Sequence, residues 1–423
     1  MTSRVPQLVV ETREIDPIED LLAYADPARP LAWLRRGDGI VGVGEQSFIR
    51  VPRVDADDLS RTAIAASAWR EVVAAAEIDD AVLLPGSGLV AFGAFVFDET
   101  SAADSLLIVP SMIVGRHRGR SWVTRIRRAG SDGAGPALAP RAYGPHWAGT
   151  LGPGALGAQG YQDAVTAALA AIASGEVSKV VVARDLVGSL PAGSDLRRLV
   201  RALSSGYPDT WAFAVDGLIG ASPETLATVS GGTVTARVLA GTIARGADPD
   251  ADVAASLTLT TSAKDQDEHQ YAVQSLLATL RPHTRALAVS EQPFALKLPN
   301  VWHLATDVEG DLAGAASALD LVDALHPTAA VAGTPTPAAI EAIRRLEPFD
   351  RGRYAGPVGW VDAHGDGEWA IALRCAQFDE AVANGGTIAL TAYAGAGIVA
   401  GSDPEAELLE TRVKFRPIVD ALA

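Results

Sequence analysis

Cysteine is almost missing: Cys375 stands alone in 423 residues, so no disulfide can close within one chain and a reducing cytoplasm is the expected setting. Lysine is nearly as scarce. Of 35 basic residues only Lys179, Lys264, Lys297 and Lys414 are lysines, and the rest are arginines. An excess of positive charge is missing too. The net charge of −16 argues against nucleic acid or an anionic membrane surface as a partner, because gripping phosphate needs a basic field. No window approaches the roughly 20 uninterrupted apolar residues of a membrane span. The first residues lack a long apolar core and carry acids at Glu11 and Glu14, so no signal peptide is expected. Neither GxGxxG after a first strand nor a Walker sequence occurs, which speaks against a nucleotide cofactor.

What is present is a hydrophobic content of 48% with 20% charged residues, the balance of a globular chain long enough for a large core. Arginine serves wherever a generic positive charge will do. The lysines retained therefore mark places where a compact, deprotonatable amine matters, since arginine cannot act as a base near neutrality. The stretch Tyr393–Lys414 organises the rest. It reads as a strand, a glycine-rich turn at Gly395, Gly397 and Gly401, and a helix opened by Asp403 as N-cap with Pro404 behind it. On that helix Glu407, Glu410 and Lys414 share one face. Side-by-side carboxylates repel unless something positive joins them, and a hard divalent cation suits oxygen donors. Taken alone, these three residues are more simply a solvated, salt-bridged face.

Residues 1–155 read as a variable part without nameable chemistry. Two strands flank Gly37-Asp38-Gly39, a helix is expected near 58–76, further strands near 89–97 and 105–114, and a loose, Gly/Pro-rich connection over 129–160. The motif-bearing part, 156–420, opens with a helix over 161–174 and a β-branched strand beginning at Lys179. Strands follow at 211–215 and 220–229, then a Gly231-Gly232 hairpin into 233–241 and a helix over 262–280. A strand at 301–310, helices near 315–325 and 337–346, a hairpin at His364-Gly-Asp-Gly and a last strand at 387–394 complete the pattern. So many hairpins mixed with helices predict an α+β fold with mainly antiparallel sheets. Unusual polar residues sit within apolar runs: Glu224 at a strand end, Glu268 and His269 early in a helix, His303 on a strand. Leu325–Gly333 is a turn, and Tyr354 and Arg374 fall on paired strands. Each alone has a bland reading as a core or ion-pair residue.

Together and in this order, from Tyr161 to Lys414, these stretches resemble the chorismate-binding enzymes: isochorismate, salicylate, anthranilate and aminodeoxychorismate synthases. The likeness is near verbatim at Tyr354–Trp360, Ile371–Arg374 and Ala394–Lys414 and covers about 60% of the chain, while residues 1 to about 150 match only loosely. It implies a single chorismate-using unit with two stacked sheets and helices outside. It also implies Mg²⁺ held by Glu268, Glu407 and Glu410, receiving the ring carboxylate of chorismate. The other carboxylate would be gripped by Tyr354, Arg374 and backbone N–H groups near Gly395 and Gly397. His303 would line the ring pocket, and Lys414 would neutralise charge near the metal. Lys179 stands where isochorismate and salicylate synthases carry the lysine that activates water and anthranilate synthases carry glutamine; such a base must lose its proton far below ~10.4. Glu224 would be the acid, its pKa raised by an apolar setting.

Two further segments discriminate between members. In Val238-Leu-Ala-Gly-Thr242, Ala240, beside Gly241 and Thr242 at the substrate, replaces the nucleophilic lysine of aminodeoxychorismate synthases. Ala330 stands where salicylate and anthranilate synthases tend to place threonine, and Ala329 replaces a proline of the isochorismate synthase pattern. The resemblance therefore implies an isomerase that makes isochorismate for menaquinone or siderophore synthesis. Salicylate synthase is the alternative enzyme and a catalytically inactive chorismate-binding protein the non-enzyme one. No amidotransferase subunit is expected, and the chain would act as a monomer or homodimer.

Overall fold

The computed structural model describes residues 7–53, 59–131, 135–297, 301–314, 316–379 and 386–423, without the side chains of Lys264 and Glu268. Its β-branched and aromatic runs pair into two sheets, of 13 and 10 strands. Among the described residues the pairing is antiparallel throughout except where Val9–Thr12 lies parallel to Glu77–Asp80. Side chains of both sheets meet in one core. Trp33 from the larger sheet stacks on Trp211 at 5.0 Å and donates its indole N–H to Glu368 of the smaller sheet at 2.8 Å. The outer face of the larger sheet buries a second apolar layer under the helices Arg197–Gly206 and Pro404–Leu422. The expected α+β fold with mainly antiparallel sheets is what forms. No helix among the described residues is long and apolar enough to cross a membrane.

The N-terminal strands complete both sheets. Leu31–Arg35 pairs through Ala32–Leu34 with Ala212–Ala214, and beyond it Asp38–Val43, Met112–His117, Arg120–Arg128, Leu8–Ile15 and Glu77–Asp80 finish the larger sheet. Val90–Ala94 pairs with Val358–Asp362 and carries the smaller sheet on to Ser105–Val109 and Ser47–Val51. The first reversal is made by Arg36 and Gly37, both at positive φ (52° and 82°), rather than by Gly37-Asp38-Gly39. A two-residue turn of that kind follows the twist of its strands. The described part of the 129–160 segment is anchored rather than loose. Tyr143 donates to Asp20 at 2.9 Å, Trp147 donates to the Asp195 carbonyl at 3.0 Å, and Thr150–Pro153 pairs with Leu186–Ser189. Its glycines and prolines interrupt ladders, but Tyr143 and Trp147 pack half-buried against the second apolar layer.

Two expected strands are each broken, and both breaks set the site. Over 220–229 the chain leaves the larger sheet after Leu218–Ser222 and re-enters the smaller as Thr225–Ser230, crossing at Pro223-Glu224. Over 368–376 it returns, from Gly367–Ile371 in the smaller sheet to Cys375–Phe378 in the larger. Proline has no N–H for a ladder, and Arg374 sits at φ 50°, which no strand residue adopts. Each crossing leaves a charged side chain between the layers.

Candidate active site

The strand Lys179–Pro191 runs antiparallel to Thr387–Ile398, with Val181 opposite Gly397 and Ala183 opposite Gly395. Gly395 and Gly397 therefore lie within a strand, and the turn falls later, around Ala400-Gly401. Their small size has a local cause. A Cβ on Gly397 would stand 2.9 Å from Lys179 Cε, so this glycine makes room for the lysine stem. The N–H of Val181 goes to Ala332 and that of Ala183 to Glu347, away from the partner strand. These are the non-hydrogen-bonded pairs of the ladder, so Gly395 and Gly397 also turn their backbone groups away from it. The Gly395 carbonyl, accordingly, accepts from Lys414 Nζ at 2.8 Å.

The last helix starts as its sequence dictates. Asp403 caps it, accepting from the backbone N–H of Glu405 (3.1 Å) and Ala406 (2.9 Å), with Pro404 at the first position. One face brings Glu407, Glu410 and Lys414 to a cavity of about 350 Å³ between the sheets. Lys414 Nζ also pairs with Glu410 Oε1 at 2.6 Å. Burial works to raise the Glu410 carboxyl, but the charge and hydrogen bond of Lys414, with Arg374, outweigh it and hold the group below its ordinary range. Glu410 is thus a carboxylate at neutral pH.

Glu224 reaches the same cavity from the sheet-to-sheet crossing. Protein surrounds it apart from the cavity itself, and this desolvation pushes its carboxyl up to about 7, against the pull of Lys179, Lys414 and Arg374. His303 is held by Thr242, with Nδ1 and Oγ1 2.8 Å apart, where the strand bulges between Ala240 and Thr242 and Gly241 takes φ 80°. Burial, then the Arg374 and Lys414 charges, push the imidazole down to about 3, so it is neutral, and its buried Nε2 meets no partner among the described residues.

Arg374 and Tyr354 also line the cavity, though not from paired strands. Arg374 sits on the second crossing, and Tyr354 lies in the turn before Pro357–Asp362. Tyr354 stacks on Tyr393 with centroids 5.1 Å apart and planes 16° apart, and burial raises its hydroxyl pKa.

Every sequence-derived candidate whose side chain is described, Ala240, Gly241, Thr242 and Ala330 included, lines this one cavity. The Glu268 side chain falls outside the described residues. Its neighbour His269 is buried and bonded to Thr306 and the Ala240 carbonyl, a structural role. Among the described residues no three metal-ligating side chains converge. Glu407 and Glu410 nonetheless give an all-oxygen, charged donor pair of the kind a hard cation takes. Lys414 and Arg374 supply local positive charge inside an acidic protein, with the Lys179 amine beside them on the cavity wall. The sequence reading missed Tyr393, Asp265 and Arg351 among the lining residues. Tyr393 was within reach, because it stands two residues before Gly395 and so shares its face of the strand.

Comparison with known proteins agrees with this geometry. A family model described as chorismate binding enzyme matches residues 151–423. The isochorismate synthase DhbC of Bacillus subtilis is 42% identical over 274 residues, 62% of this chain and 67% of the relative. The salicylate biosynthesis isochorismate synthase of Pseudomonas aeruginosa is 32% identical over 466 aligned residues, 99% of this chain and 90% of that one. The crystal structure of DhbC from Bacillus anthracis superposes with a TM-score of 0.75 at 31% identity, covering 95% of this chain and 98% of its own.

Proposed function

Since the chain belongs to the chorismate-binding enzymes, we propose that it isomerises chorismate to isochorismate. The observation that carries this reading is an acid and an amine facing one cavity: Glu224, pushed up to about 7, and Lys179. Lys179 takes a proton from water, whose oxygen adds at C2 of the ring. The double bonds shift, and the 4-hydroxyl leaves with the proton Glu224 gives it. Atoms and protons balance, so substrate and product have the same mass. A carboxyl near half protonation at neutral pH is well matched to that donor role.

Arg374 and Tyr354, with the outward-turned N–H groups of Gly395 and Gly397, receive one substrate carboxylate. Glu407 and Glu410, with Glu268, would hold Mg²⁺, which supplies a positive anchor for the other. Neutral His303 lines the ring pocket and neither adds nor withdraws charge. Ala240 leaves no amine to attack the ring, and Ala330 favours stopping at isochorismate. That product would feed menaquinone or siderophore synthesis, the two destinations the resemblance implies.

The test is a product assay with purified protein, chorismate and Mg²⁺, read by mass spectrometry. An isomer of unchanged mass is expected. Salicylate with an equal amount of pyruvate would make the protein a salicylate synthase, and an ammonium-dependent product an aminating relative. Saturable chorismate binding without turnover would leave only an inactive binding protein.

A further inference from the structure

The strand that begins at Lys179 has an edge that no strand covers along its whole length. Gly333–Thr334 pairs with Lys179 and Val180, and Thr150–Pro153 pairs with Leu186–Ser189. Between them Val181 and Ala183 turn backbone groups into a gap in the buried interior. Val181 N–H is met by the Ala332 carbonyl at 2.8 Å. Two more of these groups are met by side chains: Arg351 Nη2 donates to the Val181 carbonyl at 2.9 Å, and Ala183 N–H donates to Glu347 Oε1 at 2.8 Å.

Arg351 and Glu347 are themselves joined twice, Nη2 to Oε1 at 2.6 Å and Nε to Oε2 at 2.8 Å, with side chains only 3% and 1% exposed. Arg351 Nη1 donates to the Val331 carbonyl at 3.0 Å, next to Ala330 on the cavity wall. The guanidinium lies 4.3 Å from the ring centroid of Phe97 and 5.9 Å from that of Tyr354. Burying an ion pair is costly, and an apolar pair of like volume packs as well or better. Stability alone therefore gives no reason for charge here. What an apolar pair cannot do is complete a ladder.

We propose that Arg351 and Glu347 are positioning residues: the pair stands in for the missing stretch of strand and fixes Lys179, the Ala330 turn and Tyr354 relative to one another. The kinetic part of its test rests on the isochorismate reading. In Arg351→Lys, which keeps the charge but not the fork of donors, kcat should fall by up to roughly 100-fold while KM for chorismate changes far less. The pH profile of kcat should also change shape. Glu347→Gln, which keeps an acceptor for Ala183, should retain more turnover than Glu347→Ala.

Folded variants with a lowered Tm but wild-type kcat and pH profile would overturn the proposal. Should the single variants fail to fold, Arg351→Met with Glu347→Leu restores packing without the ladder. Near-wild-type turnover by that double variant would equally overturn it. Wild-type protein that leaves chorismate unchanged would sink the isochorismate reading instead. Amide exchange at Ala183 then decides the positioning on its own: faster exchange in Glu347→Ala supports it, and unchanged exchange overturns it.

Discussion

The two ends of the larger sheet differ in what fills them: the long antiparallel pair Lys179–Pro191 and Thr387–Ile398 borders the cavity, whereas among the described residues no N-terminal strand lines it. At the N-terminal end the interior is filled: Trp122 is fully buried against Gly115, where even a Cβ would stand 2.2 Å from the indole. At the other end the inward positions opposite Val181 and Ala183 are glycines, and the space goes to Lys179 and the cavity. Every residue lining that cavity is Lys179 or later. A shared fold thus becomes a scaffold or a site according to where bulk is withheld and where the chain crosses between sheets with a charged residue in hand.

The largest expected effect is at the crossing. Glu224→Gln should cut turnover roughly 10²–10⁴-fold with the fold intact. Because folding raises this carboxyl to about 7, wild-type stability should fall as pH rises from its ordinary range through 7. The Gln variant lacks that dependence, which Tm measured at pH 6 and pH 8 will reveal. The opposite outcome belongs at the filled end. Trp122→Ala should cost about 3–5 kcal/mol in denaturant unfolding while KM for chorismate stays unchanged in the folded enzyme. A shifted KM would break the comparison.

A smaller effect follows from the proposed acid's protonation. The wild-type kcat profile should break near pH 7, where neutral Glu224 is titrated away. The same break retained in Glu224→Gln would remove Glu224 from the donor role. Least of all should come from Arg120→Ala, which breaks the exposed pair with Glu14. Neither Tm nor turnover should move measurably.

Much of this was legible in the sequence because it is local. The capped helix after Asp403, the helix stop at Gly175 and the strand opening at Lys179 each depend on a few neighbouring residues. The sheet-to-sheet crossings were not, since the apolar pattern runs on through Pro223-Glu224 and Leu373-Arg374 while the partner strand changes. Nor does spacing separate Glu347–Arg351 from Glu410–Lys414. Both are i,i+4 acid–base pairs, but the first is almost wholly buried and the second is 38% and 19% exposed. Only the tertiary surroundings tell a pair that bonds to a strand edge from one that faces the cavity. In the 129–160 segment Gly and Pro content suggested looseness, whereas two aromatic side chains, Tyr143 and Trp147, decide its order.

The placement of the lysines has a practical consequence at the bench. Two of the four, Lys179 and Lys414, line the cavity, while Lys297 lies out on the surface with its side chain 56% exposed. Amine-directed coupling reagents therefore find few handles on this molecule, and half of its lysines line the cavity. Immobilising it through amines on an activated resin would risk fastening it by its proposed active site. Bound substrate should shield those two groups during coupling, and the abundant surface carboxylates are the safer point of attachment.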